Sequence, residues 1–315
     1  MIVVESPEIK FIEIDKREEG VSGMLRVKNG EDYLRLSVLS VINQLDELII
    51  VFNDSNDNTE NIVIELEKEY PDKIKVYKYI PIVYPPNNDK YLETHEDSYH
   101  SLAYYYNFTM SKTTKTFVTK IDDDQLYFPD TIKKMREKCN DTYCIGNKGI
   151  NLFDYQENLY VIDEYKYTAG GDIILFKYNP NCYFIKTEKY EVLKHNYKEL
   201  KSIIGHYHLK FCKKDRGYDN YNLNKYKSRY YQMFKDRINI NNNFTLFNED
   251  IINKLNLDYT PFDLGFYFIN NSIKYYKIEE FNDIEKDLVI KNIIEFKINK
   301  VNKSKNKKLL LYKLK

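Results

Sequence analysis

Between residues 24 and 121 short apolar runs alternate with helical spacings, and this alternation constrains the fold more than any other property of the chain. The run ELIIVF (47–52) is apolar throughout, the pattern of a strand covered on both faces. MLRV (24–27), KIKVYKYI (73–80) and TFVTKI (116–121) read as further strands. Between the first two strands, Glu31–Gln44 sets Leu34, Val38, Val41 and Leu45 on one helical face. After the turn NDSNDN, Asp57 is placed to cap a helix from about Asn58, with Glu60 at the capping-box position, Ile62 and Leu66 turned inward, and Pro71 at its end. The PPNNDKY segment around Pro85 and Pro86 reads as a loop, and a further helix is expected over about Asp97–Met110. Strands joined by helices imply a parallel, helix-covered sheet whose ligands bind beyond the carboxyl ends of the strands. Two polar clusters, NDSND and Asp122-Asp123-Asp124, stand at such ends.

After about residue 140 the alternation gives way to β-rich pieces (CIGNKGINLF, LYVID, GDIILF), as in a mixed sheet. The main domain is therefore placed at 1–215. From Arg216 the chain turns to Asn, Tyr and Lys with short apolar clusters, and a smaller, mainly helical region is expected over 216–315. Its last nineteen residues (297–315) hold eight Lys and no acid. Such a tail reads either as a solvated end or as a peripheral contact with an anionic membrane surface or acidic lipid-linked substrate.

Composition removes several function classes. Lys+Arg and Asp+Glu are 48 each, so there is no broad basic field for duplex nucleic acid, and no nucleic-acid partner is expected. Neither G-x-G-x-x-G nor G-x-x-x-x-G-K-[ST] occurs, which argues against a dinucleotide enzyme or a P-loop ATPase. The 31 Tyr with no Trp fit an AT-rich coding bias as well as a surface for sugars or bases. Four cysteines without a C-x-x-C suit a reducing compartment. The first twenty residues carry early acids and no long apolar core, and no run approaches the roughly 18 apolar residues of a membrane-spanning helix. A cytoplasmic protein is expected, with the inner membrane's cytoplasmic face as the place for any peripheral contact.

The chemistry is carried by Lys120-Ile-Asp122-Asp123-Asp124 at the end of an apolar strand. A chain turning there can aim one or two carboxylates at a divalent ion, which keeps its other positions for water and a substrate diphosphate. In outline this is a nucleotide-sugar site. Acidic triplets also occur in solvated turns, and it is the preceding strand–NDSND–helix unit that gives this one weight.

LRVKN (25–29), FNDSND (52–57), Tyr105-Tyr106-Asn107 and KIDDDQ (120–125) share their order and separations with GT-A-type glycosyltransferases. The chain resembles family 2 of these enzymes, and more narrowly the bacterial β-1,4-N-acetylgalactosaminyltransferases of lipooligosaccharide synthesis. Weaker echoes lie at GGDIILF (170–176) and YHLKFCKK (207–214), so the resemblance covers roughly half the chain. It implies a Rossmann-like α/β domain with a mixed central sheet, and inverting transfer of a sugar from a UDP-sugar, UDP-GalNAc first, to a hydroxyl of a cell-surface glycan such as lipooligosaccharide or capsule. Departures bear on donor base and sugar. Asp123 and Gln125 stand where the family has a small apolar residue and a His, Asn58 where it has Gly, and Phe52-Asn53 where it has two acids.

By the same resemblance Asp122 and Asp124 hold Mn²⁺ or Mg²⁺ with His208 completing the shell, Asp123 lies beside the donor, and Asn53 and Asp54 lie near the nucleoside. Arg26 pairs with the diphosphate or with an acid of the motif, and Tyr106 and Asn107 support the donor pocket. The general base is assigned to Asp172, where Gly170 and Gly171 permit close approach to the backbone, with Asp163 and Glu164 in reserve. Each residue also has a plain structural reading: turn bonds for Asn53 and Asp54, an ion pair for Arg26, a core or surface imidazole for His206 and His208. Rival readings are a sugar-1-phosphate nucleotidyltransferase, which normally presents a Gly-rich N-terminal loop, a non-catalytic glycan-binding protein, and a metal-dependent phosphoesterase.

Overall fold

The structure, a computed structural model, describes residues 1–86, 88–155, 158–162, 173–214, 244–247, 249–259, 266–269 and 272–275. Asp163, Glu164, Asp172 and the Lys-rich tail lie outside the described residues. The chain divides into two compact units, residues 1–153 with 160–245 and residues 154–159 with 246–315.

The first unit is built on β1 (Ile2–Val4), β2 (Glu18–Val27), β3 (Glu47–Asn53), β4 (Ile74–Tyr79), β5 (Lys115–Ile121), β6 (Gln125–Tyr127), β7 (Tyr143–Tyr155), β8 (Asn158–Ile162), β9 (Ile173–Lys177) and β12 (Lys198–His208). A path of nine of these runs β1-β4-β3-β2-β5-β9-β7-β12-β6. From β1 to β5 every pairing is parallel, whereas β9 is antiparallel to both β5 and β7, and β6 antiparallel to β12. The expected mixed α/β sheet is thus what forms. A separate hairpin joins β10 (Tyr183–Lys186) to β11 (Glu191–Lys194).

Period-2 alternation sorts the strands' side chains between two helical layers. Leu48, Ile50 and Phe52 of β3 pack with Leu34, Val38 and Val41 of α1 (Leu34–Val41) and with Val63 and Leu66 of α2 (Thr59–Glu69). Ile49 and Val51 point the other way, onto Tyr105 and Phe108 of α4 (Leu102–Ser111). Met24 and Val118 pack with Tyr106 and Met110 of the same helix. All seven residues of β3 are buried, as a strand covered on both faces requires. The remaining helices of this unit are α3 (Asp89–Glu93) and α5 (Thr131–Arg136).

Several boundaries differ from the sequence reading. The first helical pattern tightens into a 3-10 turn at Ile42–Gln44, and β2 is ten residues long rather than four. Part of the segment read as a loop after Pro86 forms α3, capped by Asn88, whose side chain accepts from the Lys90 amide. Glu60 does not close a capping box, because both its oxygens are taken by Lys78 Nζ at 2.6 and 2.7 Å. β13 (Phe244–Leu246) falls where the first unit gives way to the second, which holds α6 (Glu249–Leu255) and a hairpin of β14 (Phe266–Ile269) and β15 (Ser272–Tyr275), so the described part of 216–315 is mixed where a mainly helical region was expected. No helix among the described residues is long and apolar enough to cross a membrane.

Candidate active site

Two turns at the carboxyl ends of β2 and β3 are laced together. Asn29 stands in the left-handed region (φ 54°), and its amide donates to Ser55 Oγ while its Oδ1 accepts from the Asn56 amide. The Gly30 amide donates to Thr59 Oγ1 at 2.8 Å. Asp57 accepts from the Glu31 amide through Oδ2 and from the Thr59 amide through Oδ1, each at 2.9 Å, so it ties the turn as well as opening α2. Asp54, also at positive φ, pairs with Lys28 at 2.7 Å and stays half exposed. Asn53 is buried, and its Nδ2 donates to the carbonyls of Tyr79 and Pro81 at 2.9 and 2.7 Å. That amide is committed to the end of β4, which gives Asn53 a structural task.

The acidic turn follows β5 directly. Asp122 is held through its carboxylate by Lys120 and by Gln125 Nε2, both at 3.1 Å, and through its carbonyl by Ser37 Oγ at 2.6 Å. Asp123 and Asp124 are bridged by one ammonium, Lys213 Nζ, at 2.9 and 3.1 Å. On the other side of Asp124, His208 Nε2 stands 3.4 Å from Oδ1, and His208 Nδ1 meets Asn151 Oδ1 at 2.7 Å, which fixes the ring. β12 brings His208 there by pairing it with Gln125 on β6. His206, two residues earlier, is buried against Tyr127 with ring centroids 5.5 Å apart. Of the two histidines only His208 thus borders the acidic turn.

The short segment after β12 closes this arrangement. Leu209 N donates to the Asp124 carbonyl at 2.7 Å, Tyr33 OH to the Cys212 carbonyl at 3.0 Å, and Lys214 pairs with Glu31 and Asp32 at 2.8 and 3.2 Å. Gly30 lies so close that an added Cβ would stand 3.0 Å from Asp123 Oδ2, so glycine is what lets the β2 loop approach the acids. Burial would raise Asp124, but the Lys213 ammonium and the His208 imidazole hold it well below the usual carboxylate range. Burial, joined by the charge of Asp124, pushes Asp123 up despite Lys213. Lys213 loses hydration on burial, yet the two carboxylates keep its ammonium form favoured.

Arg26 and Lys120 share the α4 face of the sheet, since Met24 of β2 pairs with Lys120 of β5. The Arg26 guanidinium lies 3.1 Å above the Tyr106 ring, Lys120 Nζ lies 5.9 Å from the same ring, and Arg26 Nε has no hydrogen-bond partner among the described residues. Two cations therefore stand beside the acidic turn at the strand ends, one of them with a donor to spare for an anion. Asn107 grips the backbone of Phe184 on β10, accepting from its amide at 2.7 Å and donating to its carbonyl at 2.8 Å, while Tyr106 stacks on the Phe184 ring.

Asp122, Asp124, His208 and Arg26 thus lie around one end of the sheet, as the sequence suggests, and Lys213 joins them unforeseen. Its sequence signal is the Lys213-Lys214 pair that closes YHLKFCKK. For a divalent ion, Asp124 with His208 offers a carboxylate oxygen and an imidazole nitrogen in contact, a pair that suits Mn²⁺ and leaves positions for diphosphate oxygens. Among the described residues no three His, Cys, Asp or Glu side chains gather into a fuller shell, and Asp122 is engaged by Lys120 and Gln125 instead.

A mostly parallel β-α sheet with antiparallel strands at β9 and β6 and an acidic turn at its strand ends defines the GT-A class of fold. Within that class, residues 25–79 match the family described as Glycosyl transferase family 2. This stretch runs from the last three residues of β2 through α1, β3 and α2 to the end of β4, and holds the two laced turns. No curated protein matches the chain. Similar solved structures include S. aureus TarS 1-349, at 15% identity and TM-score 0.36 over 64% of this chain and 62% of that one. Another is glucosyl-3-phosphoglycerate synthase from Mycobacterium tuberculosis in complex with Mg²⁺ and uridine-diphosphate, at 17% identity and TM-score 0.29 over 46% and 50%. The chain thus spans about half to three fifths of the length of these structures. Likenesses this distant assign no donor.

Proposed function

We propose that the protein is a glycosyltransferase that moves a sugar from a nucleoside diphosphate, UDP in the first instance, to a hydroxyl of a glycan acceptor. The observation that carries the reading is the acidic turn at the end of β5, held by Lys213 and His208 on a segment that also ties to the loop following β2. The family 2 match over residues 25–79 supports the same chemistry. UDP-GalNAc as donor, inversion at the anomeric carbon and a lipooligosaccharide or capsular acceptor rest on the sequence resemblance.

In this reading the Arg26 guanidinium and the Lys120 ammonium attract the diphosphate, and the spare Nε donor of Arg26 fits one of its oxygens. Lys213 keeps Asp124 ionised and aimed, and Asn151 orients His208. Asp124 and His208 are the residues that would hold Mn²⁺ or Mg²⁺, with Asp122 beside them. When bound, the ion supplies charge to the departing diphosphate. Side chains fixed in this way need little rearrangement as negative charge develops, which is the condition for electrostatic stabilisation of a transition state.

The test is a thermal-shift panel of UDP-, GDP- and CMP-sugars with Mn²⁺ and with chelator, because a ligand that binds only the native state raises its stability. A shift with a UDP-sugar that chelator abolishes, followed by UDP release on adding a glycan acceptor, is the expected result. No shift with any nucleotide sugar from folded protein would overturn the reading.

A further inference from the structure

We propose that Glu191 takes the role expected of Asp172, which lies outside the described residues: it is the general base that accepts the proton of the acceptor hydroxyl, an assignment that rests on the glycosyltransferase reading. Glu191 opens β11, and the β10–β11 hairpin is clamped to α4 by the two Asn107–Phe184 backbone bonds and the Tyr106–Phe184 stack. The clamp brings the carboxylate to the face of the sheet that carries Arg26 and Lys120, both close enough to act on its charge. Lys120 in turn holds Asp122 at 3.1 Å, so a line of charged groups joins Glu191 to the acidic turn.

The carboxylate is half-buried, and Tyr91 OH donates to its Oε1 at 2.8 Å. The same hydroxyl lies 2.9 Å from the Thr187 carbonyl, so its single proton is shared between the two oxygens and the tyrosine is held beside the carboxylate. Among the described residues no side chain donates to Oε2 and neither cation closes an ion pair on Glu191. Tyr91 and the residue's own backbone amide hold the carboxylate in place, and no other side chain among the described residues closes on it, so it keeps room to accept from a ligand, the arrangement a general base needs. The groups facing it are Tyr91 from α3, Arg26 from β2, Lys120 from β5, and Lys186 as its cross-strand partner, whose ammonium is occupied by the carbonyls of Tyr91 and Thr94. Burial raises the Glu191 pKa above its ordinary 4.5, against the Tyr91 hydrogen bond and the pull of Arg26 and Lys120. A more basic carboxylate is a better proton acceptor.

In the step assigned to it, the acceptor O–H bond breaks with its proton passing to Glu191 Oε2. The freed electron pair forms the new bond to the anomeric carbon, and the bond from that carbon to the diphosphate oxygen breaks with its pair leaving on the diphosphate.

Glu191→Gln keeps an oxygen for the Tyr91 hydroxyl and removes the base. Donor-induced stabilisation by UDP-GalNAc and the melting temperature should stay at wild-type values. UDP release stimulated by acceptor, read with methyl α- and β-glycosides of galactose and glucose, should fall by about 10²-fold or more. Wild-type activity should rise with pH through the Glu191 carboxylate, on a limb centred above 4.5, and the residual activity of the variant should lack that limb. Transfer by the variant within a few-fold of an active wild type would overturn the assignment alone, as would equal loss of donor-induced stabilisation. A wild type that neither binds nor turns over any donor would instead count against the proposed function.

Discussion

Lys213 is the side chain whose removal should be felt most. Its ammonium sits between Asp123 and Asp124, and the three side chains retain only 15%, 16% and 10% of their exposure. Lys213→Met preserves much of the apolar stem and leaves two adjacent buried carboxylates facing each other without a counter-charge. Removing one partner of a buried ion pair costs about 3–5 kcal/mol, far more than the pair's net worth against an apolar replacement, because the remaining charge stays desolvated. At about 2–4 °C per kcal/mol for a large domain, the variant should melt at least about 6 °C below wild type. Differential scanning fluorimetry at pH 8 in chelator disfavours relief by protonation and denies the acids another cation. Adding Asp123→Asn to the variant removes half of the stranded charge and should recover a substantial part of the loss, a coupling that a double-mutant cycle reads directly. A single variant within about 2 °C of wild type, under about 1 kcal/mol on the same scale, would refute the reasoning. So would a double variant no more stable than the single one.

Three further outcomes are expected. Asp124→Asn should abolish the Mn²⁺-dependent part of UDP-sugar stabilisation, and unchanged Mn²⁺-dependent affinity would remove Asp124 from the ion's ligands. Asn107→Ala deletes both bonds to the Phe184 backbone, leaves buried partners unmet at about 1–3 kcal/mol, and should speed amide exchange across residues 183–194; wild-type protection there would show that the ring stack alone holds the hairpin. Deleting residues 297–315 should weaken sedimentation with anionic liposomes, and equal binding by the shortened chain would assign the tail's lysines to solvent.

What could be read from sequence follows from which forces are local. The strands ELIIVF and TFVTKI are apolar enough to declare themselves, and with them came the sheet and the acidic turn at its end. Helix α1 was legible because Leu34, Val38 and Val41 repeat at its own period. Helix α3 and the β10–β11 hairpin were not, since distant partners hold them: Tyr91 reaches residues nearly a hundred positions away, and Asn107 reaches Phe184. The capping box at Glu60 gave way to Lys78, a tertiary partner that no local pattern contains. No local pattern marks Glu191 either, and the hydroxyl of Tyr91 and the two nearby cations are what distinguish it from a solvated carboxylate.

The segment Leu209–Lys214 carries a consequence for how the molecule is made. Its contacts reach back 90 residues to Asp123 and 179 residues from Cys212 to Tyr33. A ribosome extending the chain at about 5–20 residues per second delivers the whole acidic turn several seconds before Lys213 exists. During that interval a nascent chain can assemble β2 to β5 while Asp123 and Asp124 still lack their ammonium. Competence to hold a donor is thus timed by the arrival of six later residues, and for the 90 residues between Asp123 and Lys213 the growing polypeptide carries its acids with the site incomplete.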